Sequence, residues 1–200
     1  MSHPPEHFDA LFAATDDPWL FKSRWYEARK RALTLACLPA HRYAAAYEPG
    51  CANGELSAAL AERCDHLLVS DGSSRAVALA RARLADLRHV EVQQAWLPEG
   101  WPGRTFDLIV ISELGYFLSP SALDVFATHA RASLRRGGTI LGCHWRRASA
   151  DCELDGDAVH RRMGDRFALP RIIEVVDADL RIEVWCDDAR SVAQREFIGP

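Results

Sequence analysis

Two hundred residues, 48% of them apolar, suffice for one domain with a substantial core. A net charge of −4, from 24 basic and 28 acidic side chains, argues against a nucleic-acid-binding surface. No apolar run approaches the ~20 residues of a membrane span, and MSHPPEHFDA lacks the basic and apolar regions of a signal peptide, so a cytoplasmic chain with no membrane partner is expected.

In chain order, Asp17-Pro18 has the form of a helix start, with an acid at the cap and proline at the first helical position. The pattern predicts one helix through WLFKSRWYEARKRALTLACL, stopping before Pro39. Its aromatics, Trp19, Phe21, Trp25 and Tyr26, are a heavy load that suits core packing, and Arg24, Arg29 and Lys30 read as a solvated face. A strand over 43–48 leads into the glycine bend EPGCANGEL, then a helix over 55–64 with Leu56 and Leu60 on one face. A second strand, 66–71, ends in Asp71, and a helix over 74–87 follows with Val77, Ala80 and Leu84 inward. A third strand covers 90–95, and a loop rich in proline and glycine precedes FDLIVISE, 106–113. That nearly continuous apolar run suits a strand covered on both faces of a parallel sheet. Ser119-Pro120 opens another helix; Arg135 and Arg136 sit at its negative end, and Gly137 terminates it. Strand 138–143, a helix over 157–168 and strands over 172–176 and 180–186 complete the chain; the last alternates as an antiparallel strand does. The six cysteines, Cys37, Cys51, Cys64, Cys143, Cys152 and Cys186, include no C-x-x-C pair, which points away from metal or disulfide and toward small buried apolar residues.

Alternating strands and helices predict an α/β domain. Its seven-stranded, mainly parallel sheet has helices on both faces and its last strand antiparallel. Ligands on such sheets bind beyond the carboxyl ends of the strands, where the order reverses. Gly50 and Gly54 fit a bend that a bulky ligand approaches, or a tight turn with no ligand. Asp71 lies 21 residues beyond Gly50, where a carboxylate can accept from two ribose hydroxyls, or it caps the turn at Gly72-Ser73. The bend has three residues between its glycines and no third glycine, so it is not the dinucleotide fingerprint, and no phosphate loop exists. The site looks built for a nucleoside without a phosphate chain.

EPGCANGEL resembles motif I of the class I S-adenosylmethionine-dependent methyltransferases, E-x-G-x-G/A-x-G. Asp71, FDLIVISELGYFL and LRRGGTILGCHW follow in the family's order, so the resemblance covers about residues 18–186. More narrowly, GCANGEL, FDLIVISELGYFL and LRRGG are similar to the rhizobial nodulation-type N-methyltransferases, which methylate the amine of a lipo-chitooligosaccharide. The resemblance implies a Rossmann-like fold in which residues 1–40 form a helical lid over a binding domain, 41–200, the whole being one compact domain. It also implies S-adenosylmethionine as donor, S-adenosylhomocysteine as product, and a small-molecule or saccharide acceptor. Gly50, Cys51, Gly54, Asp71, Gly72, Leu97 and Glu113 would then meet the cofactor. Glu48 would orient the motif I loop or meet the amino group through water, and Trp25 or Tyr26 would face the sulfonium. One position departs: the acid usual after the third strand is absent from Gln94-Ala95-Trp96-Leu97-Pro98, and Trp96 either stacks on the adenine or packs in the core.

An amine acceptor must lose its proton, so a carboxylate or imidazole would help. Glu113 stands where the family's active-site loop begins; His144 ends the fifth strand, and His160 lies on a later helix. Tyr116 and Phe117 would wall the acceptor pocket, and the segment 144–160 would contact a hydroxylated acceptor. Each has a plainer reading as a cap, a structural histidine, core packing or a solvated loop. The other readings are a non-catalytic nucleoside-binding module of this fold, or an RNA or protein methyltransferase. A monomer or weak homodimer is expected.

Overall fold

The computed structural model describes residues 5–147 and 152–196. Seven strands form one sheet in the order β3-β2-β1-β4-β5-β7-β6. They are β1 (Ala46–Pro49), β2 (Leu67–Asp71), β3 (Val90–Gln94), β4 (Phe106–Ser112), β5 (Leu134–Trp145), β6 (Arg171–Val176) and β7 (Leu180–Cys186). The first five run parallel, and β7 lies antiparallel to both β5 and β6. The order reverses between β1 and β4, which places a crevice beyond their carboxyl ends.

The apolar run of β4 divides its side chains between two cores, as the period of two requires. Leu108 and Val110 face one core, shared with α3 (Glu55–Ala61) and α4 (Ser74–Arg83). Ile109 and Ile111 face the other, under α5 (Pro120–Ser133) and α6 (Gly156–Phe167). Ser119 caps α5 by accepting from Ala122 N at 3.3 Å, and Asp155 caps α6 by accepting from Ala158 N at 2.7 Å. A short helix, Val192–Glu196, closes the described chain.

Two expectations are corrected. The N-terminal helix is not continuous. A separate helix, α1 (Pro5–Ala14), comes first, and α2 begins only at Trp25 and ends at Ala36. Leu20, at φ 60°, is left-handed, so no helix can pass through it. The Asp17 carboxylate accepts from Phe21 N and Lys22 N at 2.8 and 3.0 Å, and so closes a turn rather than opening a helix. The second correction is the start of β5. Helix α5 stops at Ser133, because Leu134 is extended, buried and paired with Phe106. Arg135 and Arg136 are therefore exposed strand residues, and Gly137, at φ 74°, kinks the strand rather than ending a helix.

Gly54 opens α3 at φ 84°, and a Cβ there would lie 3.3 Å from the Ala80 Cα of α4. Backbone conformation and helix packing both call for glycine. Gly54→Ala should lower unfolding free energy by ~1–3 kcal/mol, read as a reduced urea midpoint with unchanged slope; an unchanged midpoint would show that α3 and α4 shift freely.

Candidate functional site

A cavity of about 570 Å³ opens at the carboxyl ends of β1, β2 and β4, within the range of small-ligand sites. Its floor is the glycine bend. Gly50, at φ 75°, lines it, and a Cβ added there would lie 3.2 Å from Leu114 Cδ1. The Gly50 and Cys51 amides both donate to Ser70 O, at 2.7 and 2.9 Å, which pins the bend to β2. Asp71 completes the floor: its two oxygens accept from Ala52 N and Ser73 N, each at 2.9 Å. Burial raises the Asp71 pKa, and the Ser73, Ala52 and Gly72 amides oppose that rise.

Glu48 lies on the same floor at 2% exposure, and its Oε2 has no hydrogen-bond partner. Burial pushes its pKa up to about 8, with the Ser57 hydroxyl opposing and the Asp71 carboxylate adding. A buried, unpartnered carboxylate in a cavity wall fits a ligand that brings a donor or a positive centre. Asn53 adds a second such atom: its Nδ2 donates to Asp17 Oδ1 at 3.1 Å, while its Oδ1 is unpartnered. These features fit a nucleoside carrying a positive charge and an amino group.

Glu113 follows β4 and carries the strain of a left-handed non-glycine residue, φ 53°. Three donors hold its carboxylate: Lys30 Nζ at 2.7 Å on Oε1, Tyr116 OH at 2.5 Å and Trp145 N at 3.0 Å on Oε2. Lys30 also pairs with Glu27 at 2.8 Å and stands over the rings of Phe21 and Tyr26, 5.8 and 5.4 Å from their centroids. Burial lowers the Lys30 pKa, but Glu113 and Glu27 outweigh it and hold the ammonium above its ordinary range. Lys30, expected on a solvated face, is instead 5% exposed in the cavity wall. A signal existed: Glu27, Lys30, Arg31 and Thr34 recur at i, i+3, i+4 and i+7, a polar stripe along one helix face that lines the cavity.

The remaining expected residues divide. Tyr26, Cys51, Gly72, Trp96, Leu97, Tyr116 and Phe117 line the cavity. The Trp96 ring rests against Gly72, where any Cβ would collide with it. Gln94 donates from Nε2 to Gly72 O at 3.1 Å, and the nearest strand acid, Glu91, is exposed and paired with Arg104. Trp25 does not line the cavity; it is 78% exposed, because the face of α2 turned inward is the polar one. Gly54 is also off the wall, against α4. His144 and His160 are fully buried behind it: His144 Nε2 accepts from Gly115 N at 3.1 Å, and the two rings are bonded to each other at 3.1 Å. Neither imidazole faces the cavity, so neither can take a proton from a ligand there. Of segment 144–160, Trp145 and Arg147 line the rim, and residues 148–151 lie outside the described residues. Helix α1, not anticipated, supplies Phe8 and Phe12 to the roof. Among the described residues no cluster of histidine, cysteine and acids could hold a metal, and no helix is long and apolar enough to cross a membrane.

The family model described as nodulation protein S (NodS) matches residues 10–146. The nodulation protein S of Rhizobium tropici is 32% identical over 147 residues, 64% of this chain and 62% of its own length. The chain spans 54% to 68% of the length of the curated relatives it matches. The crystal structure of a candidate methyltransferase from Pseudomonas syringae is 50% identical, covers 82% of this chain and 99% of its own, and superposes with a TM-score of 0.74. The N-methyltransferase NodS from Bradyrhizobium japonicum, solved with S-adenosylhomocysteine, covers 92% of this chain and 98% of its own with a TM-score of 0.82; at 21% identity it shows the shared Rossmann-like fold.

The raised Glu48 pKa has a definite sign. An acid with a folded pKa above its unfolded one stabilises the fold fully below the unfolded value, and that contribution is lost as pH rises from 4.5 through about 8. Glu48→Gln removes the loss. A tenfold change in proton affinity is worth ~1.4 kcal/mol, so between about pH 5 and 8.5 the variant should gain a few kcal/mol on wild type in urea unfolding of the ligand-free protein. Parallel pH profiles would refute the assignment.

Proposed function

The chain belongs to the nodulation protein S family and is an S-adenosylmethionine-dependent methyltransferase, and from that premise we propose that it methylates the amine of an amino sugar or short oligosaccharide. The carrying observation is the Glu113 carboxylate, fixed in the cavity wall by three donors from three different segments. A fixed carboxylate stabilises an acceptor that becomes positive as it reacts, as an amine nitrogen does when it takes the methyl and keeps that charge at neutral pH. The name of the Bradyrhizobium japonicum relative, an N-methyltransferase, agrees. At the rim, Trp145 offers an aromatic face at 38% exposure beside Arg147 and Asp179, chemistry suited to a hydroxylated ring.

In this reading the backbone at Gly50, Cys51 and Ala52, the Asp71 carboxylate and the Trp96 and Leu97 side chains hold the cofactor. Bound there, S-adenosylmethionine supplies a methyl group already activated by its sulfonium, open to in-line attack by an amine lone pair. Glu113 holds the amine and accepts a hydrogen bond from it as charge develops; its proton leaves to solvent or to this carboxylate. Tyr116 and Lys30 keep Glu113 in place, and Glu48 faces the positive end of the ligand. Residues 1–40 act as the lid: Phe8, Phe12, Trp19 and Phe21 exclude water, and alignment with exclusion can contribute ~7–11 kcal/mol.

Thermal unfolding with S-adenosylhomocysteine at a hundred times its Kd should show stabilisation of ~2.7 kcal/mol, roughly 5–11 °C, lost in Asp71→Ala. Wild type should transfer a methyl to de-N-acetylated but not fully N-acetylated chitin oligosaccharides, seen by mass spectrometry. Glu113→Gln should cut kcat about 10²–10³-fold while leaving the thermal stabilisation by S-adenosylhomocysteine intact. Equal transfer to both oligosaccharides would sink the amine reading.

A further inference from the structure

Behind the wall, a buried chain of hydrogen bonds runs from the sheet edge to the loop that carries Glu113. Gly115 N donates to His144 Nε2 at 3.1 Å; His144 Nδ1 meets His160 Nε2 at 3.1 Å; His160 Nδ1 meets Glu183 Oε2 at 2.8 Å. Glu183 Oε1 accepts from Arg171 and, at 3.3 Å, from Arg181. His144, His160 and Glu183 are all at least 98% buried.

The protons in this chain have one consistent arrangement. A backbone amide only donates, so His144 Nε2 must carry a lone pair. The single proton of the neutral ring then sits on Nδ1 and is donated to His160 Nε2. His160 in turn carries its proton on Nδ1 and donates it to the Glu183 carboxylate, which only accepts. Every donor thus points away from the catalytic loop toward Glu183. Burial holds both imidazoles below their ordinary pKa, as neutral rings in this chain require.

We propose that Glu183, acting through His160 and His144, positions Glu113 by fixing which nitrogen of His144 is free to accept from Gly115. The inference rests on the reading of Glu113 as the group that meets the acceptor. Glu113 is a strained residue and persists only where its surroundings over-determine it. Its own amide is tied to Cys143 O at 2.9 Å, and the His144 bond fixes the chain two residues on. Gly115 is also wedged against Val159, so the turn cannot shift to find another acceptor. The polarity begins at Glu183. An amide in its place would turn its oxygen to Arg171 and Arg181 and its NH₂ to His160 Nδ1. His160 would then donate from Nε2, His144 would accept at Nδ1 and carry its proton on Nε2, and that proton would face the Gly115 N–H. One isosteric change 23 residues beyond His160, which exchanges a carboxylate for an amide, would place two donors against each other beside the active loop.

The test is ¹⁵N NMR of the imidazoles in the full chain. Wild type should show His144 protonated at Nδ1; protonation at Nε2 overturns the proposal without any variant. Glu183→Gln should switch His144 to Nε2–H, speed exchange of the Gly115 amide, and lower kcat on de-N-acetylated chitin oligosaccharides ~10- to 100-fold, with the Kd for S-adenosylhomocysteine within about threefold of wild type. Glu183→Asp, which keeps a pure acceptor, should retain the wild-type tautomer and recover most of kcat. A Glu183→Gln protein that keeps Nδ1–H, or that switches with kcat unchanged, overturns the positioning role. If wild type methylates no such oligosaccharide, the acceptor reading fails, while the tautomers and the Gly115 exchange still decide whether Glu183 governs the loop.

Discussion

The Glu113–Lys30 ion pair is the constraint around which the site is assembled. A carboxylate at the end of β4 with 14% of its side chain exposed is costly unless its lone pairs are filled. Filling them recruits three segments: α2 through Lys30, the turn after β4 through Tyr116, and β5 through the Trp145 amide. Lys30 in turn needs a second acid, Glu27, and the faces of Phe21 and Tyr26. The demand of one buried charge therefore joins the N-terminal segment to the sheet. It also explains the inverted amphipathicity of α2, whose three buried residues, Glu27, Lys30 and Thr34, are all polar.

The field in the cavity follows from what remains uncompensated. Glu27 and Glu113 share one ammonium, while Asp71 is met only by backbone amides and Glu48 keeps an unpartnered oxygen. The floor at Glu48 and Asp71 favours a positive ligand centre, while Arg24, Arg31 and Arg147 line the same cavity. The raised Glu48 pKa is the same statement in proton terms: without a cation nearby, the wall lowers its own charge by holding a proton.

The strands were legible because each depends on burial. The apolar runs at β2, β4 and β5 have no other use in a chain of this composition, and the mainly parallel sheet followed from alternation with helices, whereas the strand order came from the structure alone. The bend was legible because Gly50 answers to backbone geometry that few other residues adopt. What escaped was set by tertiary partners. Lys30 looks solvated until Glu113, 83 residues away, is placed beside it. His144 looks like a rim residue until Glu183 and His160 occupy one side of its ring and Gly115 the other. The break at Leu20 depends on Asp17 capping a turn whose other partner is Asn53 in motif I. A local cap signal cannot distinguish those outcomes.

The two N-terminal helices are held with unequal firmness, and this bears on how a closed site exchanges ligand. Helix α2 is fixed by a buried ion pair whose rupture would leave charges unpaired, a cost of ~3–5 kcal/mol. Helix α1 buries Phe12 against Trp19, sets Phe8 against Phe117 and Trp96, and reaches the start of α4 through Asp9, which meets the Ser73 hydroxyl and the Ser74 and Arg75 amides. Opening α1 uncovers aromatic surface but breaks no buried ion pair, which places it below α2 in local stability. Within the proposed lid, α2 belongs to the rigid frame that orients Glu113, and α1 is the part whose departure leaves the catalytic geometry intact. A site that must exclude water yet release product gains from that division, because the roof can leave without disturbing the wall.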